Sequence, residues 1–90
     1  MVRLYILFKS GDITHQDAVV ESAMRKYRAT RVNVGTYLPT MQRDNVFKVR
    51  GNIDQTLIDT LAQTLSQQLG QPVTVTTDFL KTDLGARHFK

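Results

Sequence analysis

Hydrophobic and polar positions along the chain fall into six blocks, four with the two-residue alternation of strands and two with the 3.6-residue period of helices. Residues 2–9 (VRLYILFK) are rich in β-branched and aromatic side chains, and Ser10-Gly11-Asp12 closes this first strand. Val19, Val20, Ala23, Met24 and Tyr27 recur at helical spacing, which predicts a helix opening at Thr14, with Thr14 and Asp17 placed as a capping box. Its basic end, Arg25-Lys26-Tyr27-Arg28, suits the negative end of a helix dipole. Residues 30–38 (TRVNVGTYL) alternate as a second strand. Pro39 and Gln42-Arg43-Asp44-Asn45 read as a turn, and residues 46–50 (VFKVR) as the third strand. Leu57, Ile58, Leu61, Ala62, Leu65 and Leu69 form the cleanest apolar stripe, on a helix capped by Asn52 or Asp54 and ended by Gly70 and Pro72. Residues 73–80 (VTVTTDFL) alternate again as the fourth strand.

The order β-α-β-β-α-β predicts an α+β, ferredoxin-like domain. Right-handed crossovers place both helices on one face of a four-stranded antiparallel sheet of order 4-1-3-2. One domain over residues 1–83 is expected, with a basic, flexible tail over 84–90.

Such a plan leaves one sheet face open, and alternation assigns its side chains. Leu4, Ile6 and Phe8 are expected toward the helices, with Val32, Val34, Thr36, Phe47, Val49, Val73, Val75, Thr77 and Phe79. Arg3, Tyr5, Leu7 and Lys9 are then outward, as are Arg31, Asn33 and Tyr37, Val46, Lys48 and Arg50, and Thr74, Thr76 and Asp78. A bulge at Gly35 would turn Tyr37 to the core side. Aromatic rings among cations on an open sheet are what single-stranded nucleic acid requires, because bases stack on rings and phosphates pair with cations. The candidate binding residues are therefore Arg3, Tyr5, Lys9, Arg31, Tyr37, Lys48 and Arg50.

Leu4-Tyr5-Ile6 resembles the opening of the first signature strand of RNA-recognition-motif domains, in which an aromatic between two aliphatics stacks a base. The resemblance implies that stacking role for Tyr5. It spans three residues: Phe8 and Lys9 stand where the motif prefers Asn and Leu, and the third strand lacks the motif's glycine and its two outward aromatics.

Composition narrows the chemistry. A 41% hydrophobic and 22% charged chain is apolar enough to fold. The chain has no cysteine, so disulfides, thiolate metal sites and cysteine nucleophiles drop out, and a reducing, cytoplasmic setting is expected. The apolar run Leu4–Phe8 is too short for a membrane span. Nine of the twelve basic residues lie in residues 1–52 against four acids, an excess that suits an anionic partner. His15 has only Asp12 and Asp17 near it in sequence, and no hydrolase, phosphate-loop or zinc motif is present, so neither cofactor nor metal is expected. The Ser10-Gly11-Asp12 loop resembles, by its one glycine, the loop that ligand-sensing ACT domains use.

Two readings result. The first is a non-enzymatic module that engages single-stranded nucleic acid or an acidic protein through the open sheet face. The second is a homo-oligomeric interaction or ligand-sensing regulatory domain, with Leu7 and Val46 as an apolar patch and with edge-to-edge strand pairing as the freer contact.

Overall fold

The computed structural model describes residues 1–88. Its elements are β1 (Val2–Lys9), α1 (Ile13–Met24), β2 (Thr30–Tyr37), β3 (Gln42–Val49), α2 (Gln55–Leu69), β4 (Thr74–Thr76) and α3 (Asp83–His88). Short 3-10 turns at Arg25–Tyr27 and Phe79–Lys81 follow α1 and β4. The sheet is antiparallel, in the order β2-β3-β1-β4, and β1 and β3 pair in register from Val2↔Val49 to Lys9↔Gln42.

The core fills the space between one face of the sheet and the first two helices. Leu4, Ile6 and Phe8 of β1 meet Phe47 and Val49 of β3, Val20 and Met24 of α1, and Leu61 and Leu65 of α2. Each such side chain contributes about 1.5–3 kcal/mol through burial. The α2 ends are those the residues call for. The Asp54 carboxylate accepts from the Leu57 N–H at 2.8 Å, and Gly70 takes the left-handed conformation (φ 68°) and donates to Ser66 O at 2.9 Å.

The expected ferredoxin-like plan, with two helices on one face and the other face open, is corrected. Strand neighbours are those of 4-1-3-2 counted from the opposite edge, but the layers differ. The described residues form three α-helices, and the segment after β4 folds back over the second sheet face. The fourth strand stops at Thr76 instead of running to Leu80. Thr76 Oγ1 accepts from the Asp78 N–H at 3.1 Å, and Asp78 Oδ1 accepts from the Leu80 N–H at 2.9 Å. These local bonds compete with the strand ladder and turn the chain. Phe79, expected among the core residues, crosses to the far face and meets the Tyr5 ring at 5.8 Å between centroids. Residues 83–88, expected at or within a flexible tail, form α3, and Phe89 and Lys90 lie outside the described residues.

Three further boundaries move. Helix α1 opens at Ile13 with Asp12, not Thr14, as its cap, through a bond from the His15 N–H at 3.3 Å. Strand β3 opens at Gln42, so the stretch read as a turn is strand. Strand β2 carries its bulge at Arg31/Asn33, not at Gly35. The register places Arg31 opposite Phe47, and therefore on the helix face, while Asn33 lies opposite Val46 on the far face.

The polar start of β3 is buried by pairing with α1. The Arg43 guanidinium forks onto both oxygens of Asp17 and donates to Thr36 Oγ1 at 3.1 Å, and Asn45 Nδ2 donates to Asp17 Oδ1 at 2.9 Å. Burial works to raise the Asp17 carboxyl. The hydrogen bonds from Arg43 and Asn45, with the charges of Arg43 and Arg31, outweigh it and hold the group below its ordinary value.

Candidate functional site

The far face of the sheet can be read in rows from the strand register. Directly opposed residues share a face, so the first row runs Arg3–Lys48–Thr30 across β1, β3 and β2. The second runs Thr76–Tyr5–Val46–Asn33, the third Thr74–Leu7–Asp44–Gly35, and the fourth Lys9–Gln42–Tyr37. The segment after β4 crosses the middle rows. It leaves Leu7 only 3% and Val46 only 5% exposed, and the Asp83 N–H donates to Gln42 Oε1 at 2.9 Å.

This crossing divides the expected site. Arg3, Tyr5 and Lys48 gather at one end, beside exposed Arg50 just past the end of β3. Lys9 and Tyr37 lie at the other, about 20 Å away along six strand residues. Arg31 joins neither. Its guanidinium donates to Glu21 Oε2 at 2.8 Å and to Asp17 O at 2.7 Å, and stands over the Phe47 ring at 5.4 Å. The basic run from Arg25 to Arg31 therefore belongs to the helix layer and does not continue onto the far face.

At the Arg3 end the sheet and the crossing segment enclose a hollow of about 290 Å³. Tyr5, Val46, Phe79 and Leu84 are its apolar walls. Its polar groups are Arg3, Asn33 and Asp44. Asp44 is half-buried, and its Oδ1 is buried without a hydrogen-bond partner. Burial, then the neighbouring Asp83 carboxylate, push the Asp44 carboxyl up to about 6 against the opposing charge of Arg43. Gly35, opposite Asp44 on β2, has open space where a side chain would stand.

The crossing segment is held by one threonine and one glycine. Thr82 is fully buried; its hydroxyl donates to Phe79 O and accepts from the Gly85 N–H, both at 2.8 Å. A Cβ on Gly85 would lie 2.0 Å from Phe79 O. This contact fixes the two walls, Phe79 and Leu84, that the hollow takes from the segment.

Sequence reasoning named Asn33 and Val46 as outward but passed over Asp44, Phe79 and Leu84. Asp44 was hidden in an apparent turn. The Thr-Thr-Asp cluster at 76–78, a turn signal, was the available sign that Phe79 leaves the strand.

Other candidates are absorbed by the fold. The Gly11 N–H donates to Gln16 Oε1 at 2.9 Å and Asp12 caps α1, so the loop glycine serves the helix start. Among the described residues no group of three or more His, Cys, Asp or Glu side chains could hold a metal ion, and no helix is long and apolar enough to cross a membrane. Comparison with protein-family models, with curated proteins and with solved structures finds no match.

Proposed function

We propose that this domain is a non-enzymatic binding module for single-stranded nucleic acid, working in the cytoplasm. The observation that carries this reading is the adjacency of Arg3 and Lys48, directly opposed on β1 and β3, to a hollow walled by the Tyr5 and Phe79 rings. A base enters the hollow and stacks on an aromatic wall, while the flanking phosphates pair with Arg3, Lys48 and Arg50. A volume near 300 Å³ is the small end of ligand pockets, which suits one heterocycle at a time. Lys9 and Tyr37 lie too far away to share that nucleotide and would meet a later one on the same strand.

The test is fluorescence anisotropy with a short mixed-sequence single-stranded oligonucleotide at several salt concentrations. Three phosphate contacts give a log–log salt slope of about −2, and Lys48→Ala reduces it by about 0.7. Tyr5→Leu, which keeps an apolar side chain against Phe79, weakens binding by about 1–3 kcal/mol. Absence of salt-dependent binding, or an unchanged affinity in both variants, refutes the reading.

A second reading, self-association, is supported by the unpaired edge of β2, where Val32 and Val34 are each 39% exposed. It requires a mass that rises with concentration, and a monomer at all practical concentrations removes it.

A further inference from the structure

We propose that the segment after β4 is a pH-gated cover of the far sheet face, docked while Asp44 carries a proton and loosened once Asp44 and Asp83 are both charged. The device acts on the walls of the hollow and does not depend on what fills it. The cover runs from Phe79 through α3. It carries Phe79 and Leu84 to the hollow and shields Leu7 and Val46 of the central strands. It holds together as one piece, because the Thr82 hydroxyl joins Phe79 O to the Gly85 N–H. Its hold on the sheet is thin. Among the described residues one hydrogen bond ties it to another strand, from the Asp83 N–H to Gln42 Oε1 at 2.9 Å. The rest is apolar contact such as that of Phe79 with Tyr5, and Leu80 and Leu84 stay about half exposed. A segment held in this way opens at lower cost than the core beneath it.

The bond to Gln42 fixes where two acids meet. Gln42 and Asp44 stand two residues apart on the same face of β3, about 7 Å, so docking brings Asp83 beside Asp44. In the row of Asp44, Leu7 of β1, Gly35 of β2 and Thr74 of β4 bring no charge. The charged and titratable groups around it are Asp83 from α3, Arg3 and the Tyr5 phenol from β1 across the hollow, and Arg43 beside it on β3. Arg43 is already engaged by Asp17 under the helices, and Lys9 of β1 lies with Asp83 around a second hollow at the other end of the face. Burial, then the Asp83 charge, outweigh Arg43 and favour the protonated Asp44. Docking is therefore strongest below about pH 4 and weakens as pH rises through about 6. Above that the two carboxylates repel, Phe79 and Leu84 leave the hollow, and Leu7 and Val46 meet water.

The test is hydrogen exchange, corrected for the intrinsic rate at each pH, at pH 4.5 and pH 7. If docking accounts for the whole rise of the Asp44 carboxyl from 3.8 to about 6, the amides of Thr82, Gly85 and Ala86 are about 25-fold better protected at the lower pH. The strands supply part of the burial, so about 5- to 25-fold is expected, and Asp44→Asn removes the difference. A change of less than about twofold in these amides overturns the proposal. If the amides of Ile6 and Phe47 in the central strands then still lose protection as pH rises, the strands alone bury Asp44. A difference that survives in Asp44→Asn overturns the proposal as well. Asp83→Asn is measured alongside. It keeps the burial and removes the facing charge, so an undiminished difference there refutes the pairing of the two acids even where Asp44→Asn fails to fold.

Discussion

Gly85→Ala is the most informative single perturbation, because it acts on the wall of the hollow and on nothing in the core. The new methyl would stand 2.0 Å from Phe79 O, 2.7 Å from Phe79 C and 2.9 Å from Thr82 Oγ1. Two of these are backbone atoms that no rotamer change can move, so α3 must separate from the 3-10 turn. Separation unpairs the buried Thr82 hydroxyl, at a cost of about 1–3 kcal/mol, and loosens the Tyr5–Phe79 contact, worth about 0.5–1.5 kcal/mol. The sum, about 1.5–4.5 kcal/mol, is capped by the alternative of releasing the segment altogether. Ordering each of its residues costs about 1–2 kcal/mol, so its net docking free energy is small beside its contacts. The expected outcome is local release. In hydrogen exchange the amides of Thr82, Gly85 and Ala86 lose protection, while those of Ile6 and Phe47 in the central strands keep most of theirs. Leu7 and Val46 become exposed and bind a hydrophobic dye. Wild-type protection at Gly85 and Ala86 in the variant would refute the close approach and, with it, the segment's role in building the hollow.

Two further outcomes follow from the charged groups. Asp17→Ala leaves the Arg43 guanidinium nearly buried without its carboxylate, which costs about 3 kcal/mol; thermal unfolding should fall by on the order of 15 °C, and Asp17→Ala with Arg43→Met should recover part of it. The pH profile of stability has two opposed limbs. The Asp44 carboxyl, raised to about 6 with Asp83 facing it from α3, Arg43 beside it on β3 and Arg3 across the hollow on β1, holds a proton in the folded state that the unfolded chain has lost above about 4. Its contribution is full below about 4 and disappears as pH rises through about 6, so acidifying from 7 to 5 stabilises the protein. Asp17, held below its ordinary value, contributes above about 4 and loses that contribution as pH falls through its lowered value. Chemical denaturation across pH 3–8 should show a maximum between the two, and Asp44→Asn should flatten only the limb between about 4 and 6.

Helix α2 was legible because its pattern is repetitive and its caps are local. The α2 stripe, Asp54 and Gly70 act within a few residues of themselves, and the structure finds them where periodicity and cap chemistry put them. The parts that were not legible depend on distant partners. Arg43 and Asn45 read as turn residues because strands seldom open on polar side chains, and only Asp17, more than twenty residues earlier, makes them tolerable on a buried face. The bulge that turns Arg31 to the helix face leaves the alternation of TRVNVGTYL intact in sequence and shifts it in space. The crossing segment was obscured for a third reason. VTVTTDFL keeps strand alternation past Thr76, and side-chain bonds by Thr76 and Asp78, not a break in hydrophobicity, end the strand. Of the seven residues expected to bind, Arg3, Tyr5 and Lys48 gather at the hollow's end from the central strands, where register was unambiguous, and Arg50 stands just past the end of β3.

The two faces of the sheet differ in their charged groups, and that difference supports the proposed site on the far one. Under the helices, Asp17, Arg43, Asn45, Thr36 and Arg31 are joined by direct hydrogen bonds, although Arg31 Nε and Asn45 Oδ1 are buried without a partner. Such a network rigidifies the α1–sheet contact and has little left to offer a ligand. On the far face, Arg3 and Lys48 stand side by side and, among the described residues, neither makes an ion pair. Asp44, which would be the natural counter-charge, is four residues along β3 from Lys48, lies in the third row and holds an unpaired oxygen. Adjacent like charges cost stability, and a fold that did not need both Arg3 and Lys48 would gain by replacing one with a threonine like those around them. Cations at the rim, rings on the walls and an acceptor deeper in are the complements of a phosphate, a base face and a donor edge.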